Sequence, residues 1–238
     1  MDVAVVVFPG SNCDRDALHA IDDALGLGSA TAVHHEERDL VGFDAVVLPG
    51  GFSWGDYLRC GAMARFAPIM SEVRRVAAQG LPVLGICNGF QVLCESGLLP
   101  GALLRNDHLH FRCDIVDTTI DQADTPWTCA WADGDSARLP IAHGEGRYHA
   151  DPDQLAALVR DRRIVVRYAG ANPNGSALDI AGICSAERNV VGMMPHPERA
   201  VHDWMGSSDG VLAFESLRRH VEQSTLQRHA PEGAHVVA

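Results

Sequence analysis

Apolar residues in the first half of the chain form two alternating patterns. Short unbroken runs, typical of strands buried on both faces of a sheet, alternate with longer segments in which apolar residues recur at helical spacing. The runs occupy 3–8, 44–51 and 81–86, and the helical segments occupy 14–25, 62–79 and 88–96. This order predicts a doubly wound, mostly parallel α/β sheet flanked by helices and joined by right-handed crossovers.

The second half is less regular. Six stretches have the composition of short strands: 113–120, 125–132, 136–144, 162–170, 176–185 and 190–196. Residues 151–161 predict a helix capped by Asp151, and residues 209–223 predict a terminal amphipathic helix. We therefore expect a smaller antiparallel β portion here. We expect one domain over residues 1–222 and a flexible tail over 223–238.

Composition narrows the classes of function. The formal charge is −12, which argues against a surface that follows the phosphates of a nucleic acid. No apolar stretch approaches the ~20 residues that a membrane span requires, and the first ten residues lack the basic region of a signal peptide. Seven irregularly spaced cysteines resemble neither a disulfide framework nor a zinc site. A cytoplasmic protein without a metal site is expected.

Cys87 stands where an apolar run meets a predicted helix, in LGICNGF at 84–90. Sites in α/β sheets form at the carboxyl ends of strands, and a sharp strand-to-helix turn holds its side chain out into the cleft. Gly85 and Gly89 allow the close backbone approach that such a turn needs, and the following helix N-terminus favours a thiolate. The pattern favours a nucleophile. The alternative is a buried core cysteine, the interpretation we give to Cys94.

A thiol nucleophile needs a base, and that base needs an orienting group. In VVGMMPHPER, at 190–199, a predicted strand ends just before His196. Residues i and i+2 of an extended chain point to the same side, so Glu198 can lie beside the imidazole and raise its basicity. Taken alone, the stretch also fits a surface turn.

Glycines also follow the second apolar run, at 50–51. Free backbone N–H groups at this level could hold an oxyanion, although a plain glycine turn explains the pair equally well. Cys13 follows the first predicted strand. No motif places a base beside it, so we interpret it as part of a helix cap.

These stretches together resemble the class I glutamine amidotransferase family, whose fold is flavodoxin-like. PVLGICNGFQVL (82–93) matches the nucleophile signature of the family, and the glycine turn and the HPE sequence occur in the family's order. Five further stretches resemble a subfamily of glutaminase subunits in purine biosynthesis: FPGSNCDRD (8–16), PGGFSWGDYLRCGAMAR (49–65), LLRNDHLHFRCD (103–114), PIAHGEGRY (140–148) and GMMPHPERA (192–200). One departure is Trp54, where we expect tyrosine.

The resemblance implies a mechanism with L-glutamine as substrate. Cys87 would attack the side-chain amide, His196 would move the protons, and Glu198 would orient His196. The implied oxyanion donors are the N–H groups of Gly51 and Asn88, and the implied glutamine-binding residues are Gln91, Gly144 and Glu145. Ammonia would pass to a large synthetase subunit that works with a small bridging subunit. This chain would carry no cofactor, and ATP and Mg²⁺ would be used by the synthetase.

The sequence also gives information on alternative functions for this chain. It contains no GxxxxGK[ST] loop and no lysine, so a synthetase would have to be another chain. A subunit serving another amidotransferase would share the same triad. Protease-like and glyoxalase-like relatives of the fold commonly place histidine directly after the cysteine, where this chain has Asn88. A non-catalytic binding module and a metal site at Asp107, His108 and His110 are further alternatives.

Overall fold

A computed structural model describes residues 1–24 and 26–229 of the chain. Its centre is a nine-stranded sheet, and a separate two-stranded sheet lies beside it. The strands are β1 (Asp2–Val7), β2 (Ser29–His34), β3 (Ala45–Leu48), β4 (Val83–Ile86), β5 (Ala102–Leu104), β6 (Arg112–Ile120), β7 (Ser136–His143), β8 (Arg147–His149), β9 (Ile164–Tyr168), β10 (Ile180–Cys184) and β11 (Val190–Met193). The strand order in the large sheet is β2-β1-β3-β4-β11-β10-β9-β6-β7.

The first five strands of that order are mutually parallel, and the remaining pairs are antiparallel. In β1, β3 and β4 the unbroken apolar runs are buried on both faces, as a sheet covered by helices requires. The predicted α/β sheet with a smaller antiparallel portion is therefore confirmed. β5 and β8 form the separate antiparallel pair.

The helices lie close to their predicted positions. They are α1 (Asp14–His19), α2 (Ile69–Ala78), α3 (Asn88–Glu95), α4 (Pro152–Arg160) and α5 (Val211–His229). Asp151 caps α4 by accepting a hydrogen bond of 2.8 Å from the Gln154 backbone N–H. α2 begins seven residues later than predicted, because Pro68 stands at its start and a short 3-10 turn precedes it.

Four strand assignments differ from the sequence prediction. Residues 125–132 form turns instead of a strand, because the Thr125 and Thr128 hydroxyls, 2.7 Å apart, bond within the segment while Trp127 is buried. The three-residue strands β5 and β8 were not predicted, and neither was β2. β2 is an edge strand whose side chains are mostly exposed, so its sequence lacks the apolar run of a buried strand.

The last helix extends past its predicted end. α5 continues to His229, so residues 223–229, assigned to a flexible tail, are helical instead. The sequence over these residues contains neither glycine nor proline, and Pro231 is the first helix breaker. The rest of the predicted tail, residues 230–238, lies outside the described residues. None of the helices in the described part of the chain is long and apolar enough to cross a membrane.

Candidate active site

Cys87 occupies a strained turn between β4 and α3. Its backbone has φ 50° and ψ −103°, a conformation that L-amino acids rarely adopt. Its N–H donates to the Met193 carbonyl oxygen at 2.8 Å, which ties the turn to the end of β11. A Cβ at Gly89 would lie 1.9 Å from the Leu48 carbonyl oxygen, and one at Gly85 would lie 2.6 Å from the Gly89 carbonyl oxygen. The close packing that we inferred from the two glycines is therefore present.

His196 lies at the same edge of the sheet. β11 pairs in parallel with β4, with Met193 opposite Ile86, so the residues that follow these strands emerge side by side. The His196 Nδ1–H donates to Glu198 Oε1 at 2.6 Å, and both side chains are buried. This bond fixes the tautomer and turns Nε2 away from the carboxylate. The predicted pairing of imidazole and carboxylate is present, while the catalytic role of each residue stays a prediction.

Opposing effects act on the His196 imidazole. Burial lowers its pKa, but the Glu198 carboxylate and the Cys87 and Cys13 thiols outweigh burial and raise the pKa well above its usual value. No hydrogen-bond partner of Nε2 is present within the described residues. Nε2 is therefore available to take a proton from a thiol or from a molecule in the cleft.

Gly51 and Asn88 flank the thiol from two different elements. Gly51 follows β3 with φ 144°, and a Cβ there would lie 2.8 Å from the Asn12 nitrogen, so only glycine fits. Asn88 is the first residue of α3, where backbone N–H groups have no acceptor within the helix. The Ser53 N–H donates to Asn88 Oδ1 at 3.3 Å and joins the two elements. This arrangement suits an oxyanion hole, and that role stays a prediction.

The residues assigned to glutamine binding also form one network. The Gln91 Nε2 donates to the Glu145 carbonyl oxygen at 2.7 Å, and the Asn88 Nδ2 donates to Gln91 Oε1 at 2.8 Å. The Glu145 carboxylate lies 3.6 Å from the Arg105 guanidinium. Gly144 lies in the same loop, which directly follows β7. The network joins that loop to the helix that carries the thiol.

Buried side chains that no sequence pattern indicated hold this loop in place. His143 is buried, and its Nδ1–H donates to Asn106 Oδ1 at 3.1 Å. The Asn106 Nδ2 donates to the His143 carbonyl oxygen at 2.9 Å, and the Gly146 N–H donates to Asn106 Oδ1 at 3.1 Å. Asn174 donates to the Gly146 carbonyl oxygen at 2.9 Å from the other side. Two asparagine side chains therefore fix the backbone on both sides of Gly144.

The interpretation of Cys13 as part of a helix cap holds for its backbone, whose carbonyl oxygen accepts from the Ala17 N–H at 3.1 Å, but not for its side chain. Cys13 stands at the cap position of α1, but its side chain makes no capping hydrogen bond. Its Sγ instead accepts a hydrogen bond of 3.1 Å from Arg199 Nη2 and donates to Asn12 Oδ1 at 3.3 Å. Its thiol lies close enough to His196 to influence the pKa of the imidazole. The signal in the sequence for this placement was the position of Cys13 directly after a parallel strand. The carboxyl ends of parallel strands meet at one edge of the sheet, where Cys87 also lies.

A cavity of about 140 Å³ opens at this edge of the sheet. Its walls include both thiols and His196, and the full lining is Asn12, Cys13, Gly51, Phe52, Cys87, Phe111, Ala142, His196 and Arg199. The Cys87 Sγ–H points to the Ala142 carbonyl oxygen at 3.7 Å. The cavity can therefore admit a small polar group between the thiol and the glycine turn.

One of the three side chains considered for a metal site near residue 107, that of His108, is otherwise engaged. His108 Nε2 lies 3.0 Å from the Pro173 carbonyl oxygen, and its Nδ1 accepts from the His110 N–H at 3.1 Å. Within the described residues, the group of potential ligands whose atoms lie close together is instead Cys13, His196 and Glu198.

Comparison with known proteins shows the family to which this chain belongs. The family of CobB/CobQ-like glutamine amidotransferase domains matches residues 1–217, and the chain belongs to this family. The chain is 59% identical over 217 residues to "phosphoribosylformylglycinamidine synthase subunit PurQ" of Rubrobacter xylanophilus, covering 91% of this chain and 97% of the relative. It is 53% identical over 221 residues to the protein of the same name from a Nostoc species, covering 93% and 98%.

Solved structures are also similar to this chain over most of its length. A chain in the "structure of PurLQS from Thermotoga maritima" superposes with a TM-score of 0.84 at 43% identity, covering 92% of this chain and 98% of that one. A glutamine amidotransferase from Thermotoga maritima has a TM-score of 0.54 at 17% identity, covering 96% of this chain and 97% of that one. The second likeness shows the fold alone.

Proposed function

We propose that this chain is the glutaminase subunit of a phosphoribosylformylglycinamidine synthase. It hydrolyses L-glutamine to glutamate and ammonia and delivers the ammonia to a synthetase subunit in purine biosynthesis. The observation that carries the proposal is the placement of Cys87 on a strained elbow beside His196, whose Nδ1 lies 2.6 Å from Glu198. The family match and the names of relatives that are 53% and 59% identical support it.

In the first half of the reaction, the Cys87 thiolate attacks the amide carbon of glutamine. His196 holds the thiol proton, and Glu198 stabilises the imidazolium. The oxyanion of the tetrahedral intermediate accepts hydrogen bonds from the N–H groups of Gly51 and Asn88. When the C–N bond breaks, His196 donates its proton to the leaving nitrogen, and ammonia departs from a glutamyl thioester.

In the second half, water attacks the thioester with His196 as base. A second tetrahedral intermediate forms at the same oxyanion site and collapses to glutamate and the thiol. Gln91, Gly144 and Glu145 hold the amino-acid end of the substrate. The hydrogen bond between Gln91 and the Glu145 backbone supports this assignment, because it brings these residues together beside the thiol.

The ammonia is consumed on another chain. We propose a large synthetase subunit, which uses ATP and Mg²⁺ to convert formylglycinamide ribonucleotide to its amidine, and a small bridging subunit. This chain supplies no group to ATP or Mg²⁺ and carries no cofactor. The solved relative of this chain at 43% identity is part of a structure described as PurLQS, which supports an assembly of this kind.

We propose that the isolated chain is a weak glutaminase and that assembly activates it. The loop next to the glycine turn has positive φ at three non-glycine residues, Trp54, Asp56 and Leu58. Each such residue destabilises the present loop conformation by about 1–3 kcal/mol. Contact with a partner can therefore shift the loop to another conformation with a small change in free energy. Ser53 in the same loop donates to Asn88, which links the loop to the oxyanion donors.

Glutamate release from glutamine tests the proposal. Wild type, Cys87→Ala and the matched control Cys94→Ala are assayed alone and with both partner subunits, formylglycinamide ribonucleotide and ATP. Cys94 is buried on the same helix but does not line the cavity. We expect wild type and Cys94→Ala to release glutamate mainly in the full mixture, and Cys87→Ala to release none. The proposed chemistry is wrong if wild type releases none with its partners.

A further inference from the structure

A second cysteine shares the cavity and the imidazole with Cys87, and the proposed reaction does not use it. Atoms of Cys13, His196 and Glu198 that can bind metal lie within 4.8 Å of one another. Cys13 is 3% exposed and lines the cavity that also contains Cys87. The site therefore contains two thiols and one imidazole nitrogen, Nε2 of His196, that has no hydrogen-bond partner among the described residues.

We propose that this cavity is a zinc site in which Cys13, Cys87 and His196 bind Zn²⁺ and thereby switch off the nucleophile. Two thiolates and an imidazole are the donors that Zn²⁺ prefers, and three protein ligands leave the fourth tetrahedral position for water. Chains containing the same nucleophile and base without a thiol at position 13 would offer zinc only two ligands. Sensitivity to zinc therefore depends on Cys13.

The dimensions fit one ion. A sulfur and a nitrogen bound to one tetrahedral zinc lie about 3.5 Å apart, since the metal–ligand bonds are about 2.3 and 2.0 Å long. The donor atoms of Cys13 and His196 lie within 4.8 Å of each other. Cys87 lines the same cavity, so small side-chain rotations would bring all three ligands to one ion. Gly50 leaves room for these rotations because it has no Cβ. A Cβ at that position would lie 3.0 Å from Cys13 Sγ and 2.8 Å from the His196 ring.

The surroundings of the three ligands favour metal binding. The Glu198 carboxylate accepts from His196 Nδ1–H, which is the arrangement that holds zinc-binding histidines in place. The Arg199 guanidinium lies 3.1 Å from Cys13 Sγ, but its charge is balanced by Asp16, with Nε and Oδ2 2.8 Å apart. A bound ion would therefore not face an unpaired cation.

Binding leaves the atoms in balance and needs no oxidant. The Cys13 S–H bond breaks, and the proton that His196 holds for Cys87 leaves Nε2. Two Zn–S bonds and one Zn–N bond form, and the two protons pass to solvent while water leaves the hydrated ion. Cys87 is then a metal ligand and cannot attack glutamine, and His196 Nε2 cannot accept a proton. Removal of the metal by a chelator restores both groups unchanged.

Direct binding is the first test, and it does not depend on activity. Co²⁺ is titrated into the isolated chain in a phosphine reductant, and the thiolate-to-metal charge-transfer absorption is recorded. Wild type and the Cys113→Ser control, which lacks the exposed thiol, should give the same band with one equivalent. Cys13→Ser and Cys87→Ser should each lose part of the band, and Zn²⁺ should displace it. An unchanged band in Cys13→Ser overturns the proposal.

Inhibition is the second test, and this part rests on the proposed glutaminase function. Each variant is compared with its own rate in the absence of zinc. We expect Cys13→Ser and Cys13→Ala to weaken Zn²⁺ inhibition more than about 10-fold, the lower range for disturbed metal sites, while Cys113→Ser behaves as wild type. Equal inhibition of Cys13→Ser, or no recovery with chelator, contradicts the proposal. If no variant has activity, the cobalt titration still decides the metal site.

Discussion

The Nδ1 atom of His196 lies 2.6 Å from the Oε1 atom of Glu198, in a buried site. The two residues are separated in the chain by Pro197 alone. The residues Pro197–Arg199 form a short 3-10 turn that begins at His196, so the two side chains meet across this turn and not along the extended segment that the sequence predicted. The carboxylate holds the imidazole in one tautomer and supports its positive charge. Most of the chemistry proposed for the site depends on this pair.

Glu198→Gln should lower kcat for glutamine hydrolysis by about 10²-fold or more. The amide can still hold the ring, but it cannot stabilise an imidazolium. Burial, which lowers the pKa of His196, remains in the variant, whereas the carboxylate that raises this pKa is gone. The measurement is steady-state glutamate release by the assembled enzyme. Glu222→Gln, which changes an exposed carboxylate on α5, is the control and should stay close to wild type.

Cys87→Gly should be more stable than Cys87→Ala by about 1 kcal/mol, although both should lack activity. The elbow has φ 50° and ψ −103°, which strains any residue that has a Cβ. Glycine removes that strain, and the benefit is reduced by its greater freedom in the unfolded chain. Chemical denaturation of the two isolated variants gives the comparison. Equal stabilities would mean that the strain at the elbow is no larger than the entropic cost of glycine.

Gly51→Ala should lower kcat by about 10²–10³-fold, the usual effect of losing an oxyanion donor. A Cβ at Gly51 would lie 2.8–2.9 Å from backbone atoms of residues 10–12, so the turn must move. Gly134→Ala is the matched control, because Gly134 also has positive φ but its Cβ would meet nothing within 4 Å. Kinetics of both variants separate backbone strain from loss of the donor. Similar losses in both would exclude the proposed role of Gly51.

Asn106→Ala should raise the KM for glutamine more than it lowers kcat. Asn106 is fully buried, and its side chain holds the backbone of residues 143 and 146 on either side of Gly144. Truncation leaves these backbone groups without partners, which costs about 1–3 kcal/mol. Substrate saturation curves of the assembled enzyme give both constants. Asn172→Ala, which disturbs a neighbouring turn, is the control and should change KM less.

His143 should make the protein sensitive to acid. Burial, together with the positive charge of His196, lowers its pKa to about 4. The unfolded chain takes up a proton below pH ~6.5, and the folded chain cannot do so until about pH 4, so stability falls as pH drops through this window. The loss is at most about 3 kcal/mol. Unfolding of wild type and His143→Gln between these values should show a smaller slope for the variant.

Short-range sequence signals were sufficient for much of this protein. The buried runs that became β1, β3 and β4 specify strands, because only a sheet covered on both faces buries an unbroken apolar run. Gly85 and Gly89 beside Cys87 revealed the elbow, and HPE revealed the pair at 196 and 198. These features were readable because each depends on residues within a few positions of one another.

Other features depended on how distant segments come together. Cys13 belongs to the cavity only because β1 and β11 end at the same edge of the sheet, which brings its thiol to His196 and Arg199. Contacts between loops bring together Asn106, His143 and Asn174. No pattern among neighbouring residues in the sequence predicts such a network. The turns at 125–132 form because a buried tryptophan and two threonine hydroxyls outweigh the strand propensity of that segment. The sequence by itself thus determined the strand pattern, the elbow at Cys87 and the pairing of His196 with Glu198, because their signals are local. The tertiary structure decided the second thiol and the support of the substrate loop, because packing alone brings residues far apart in the chain within hydrogen-bonding distance.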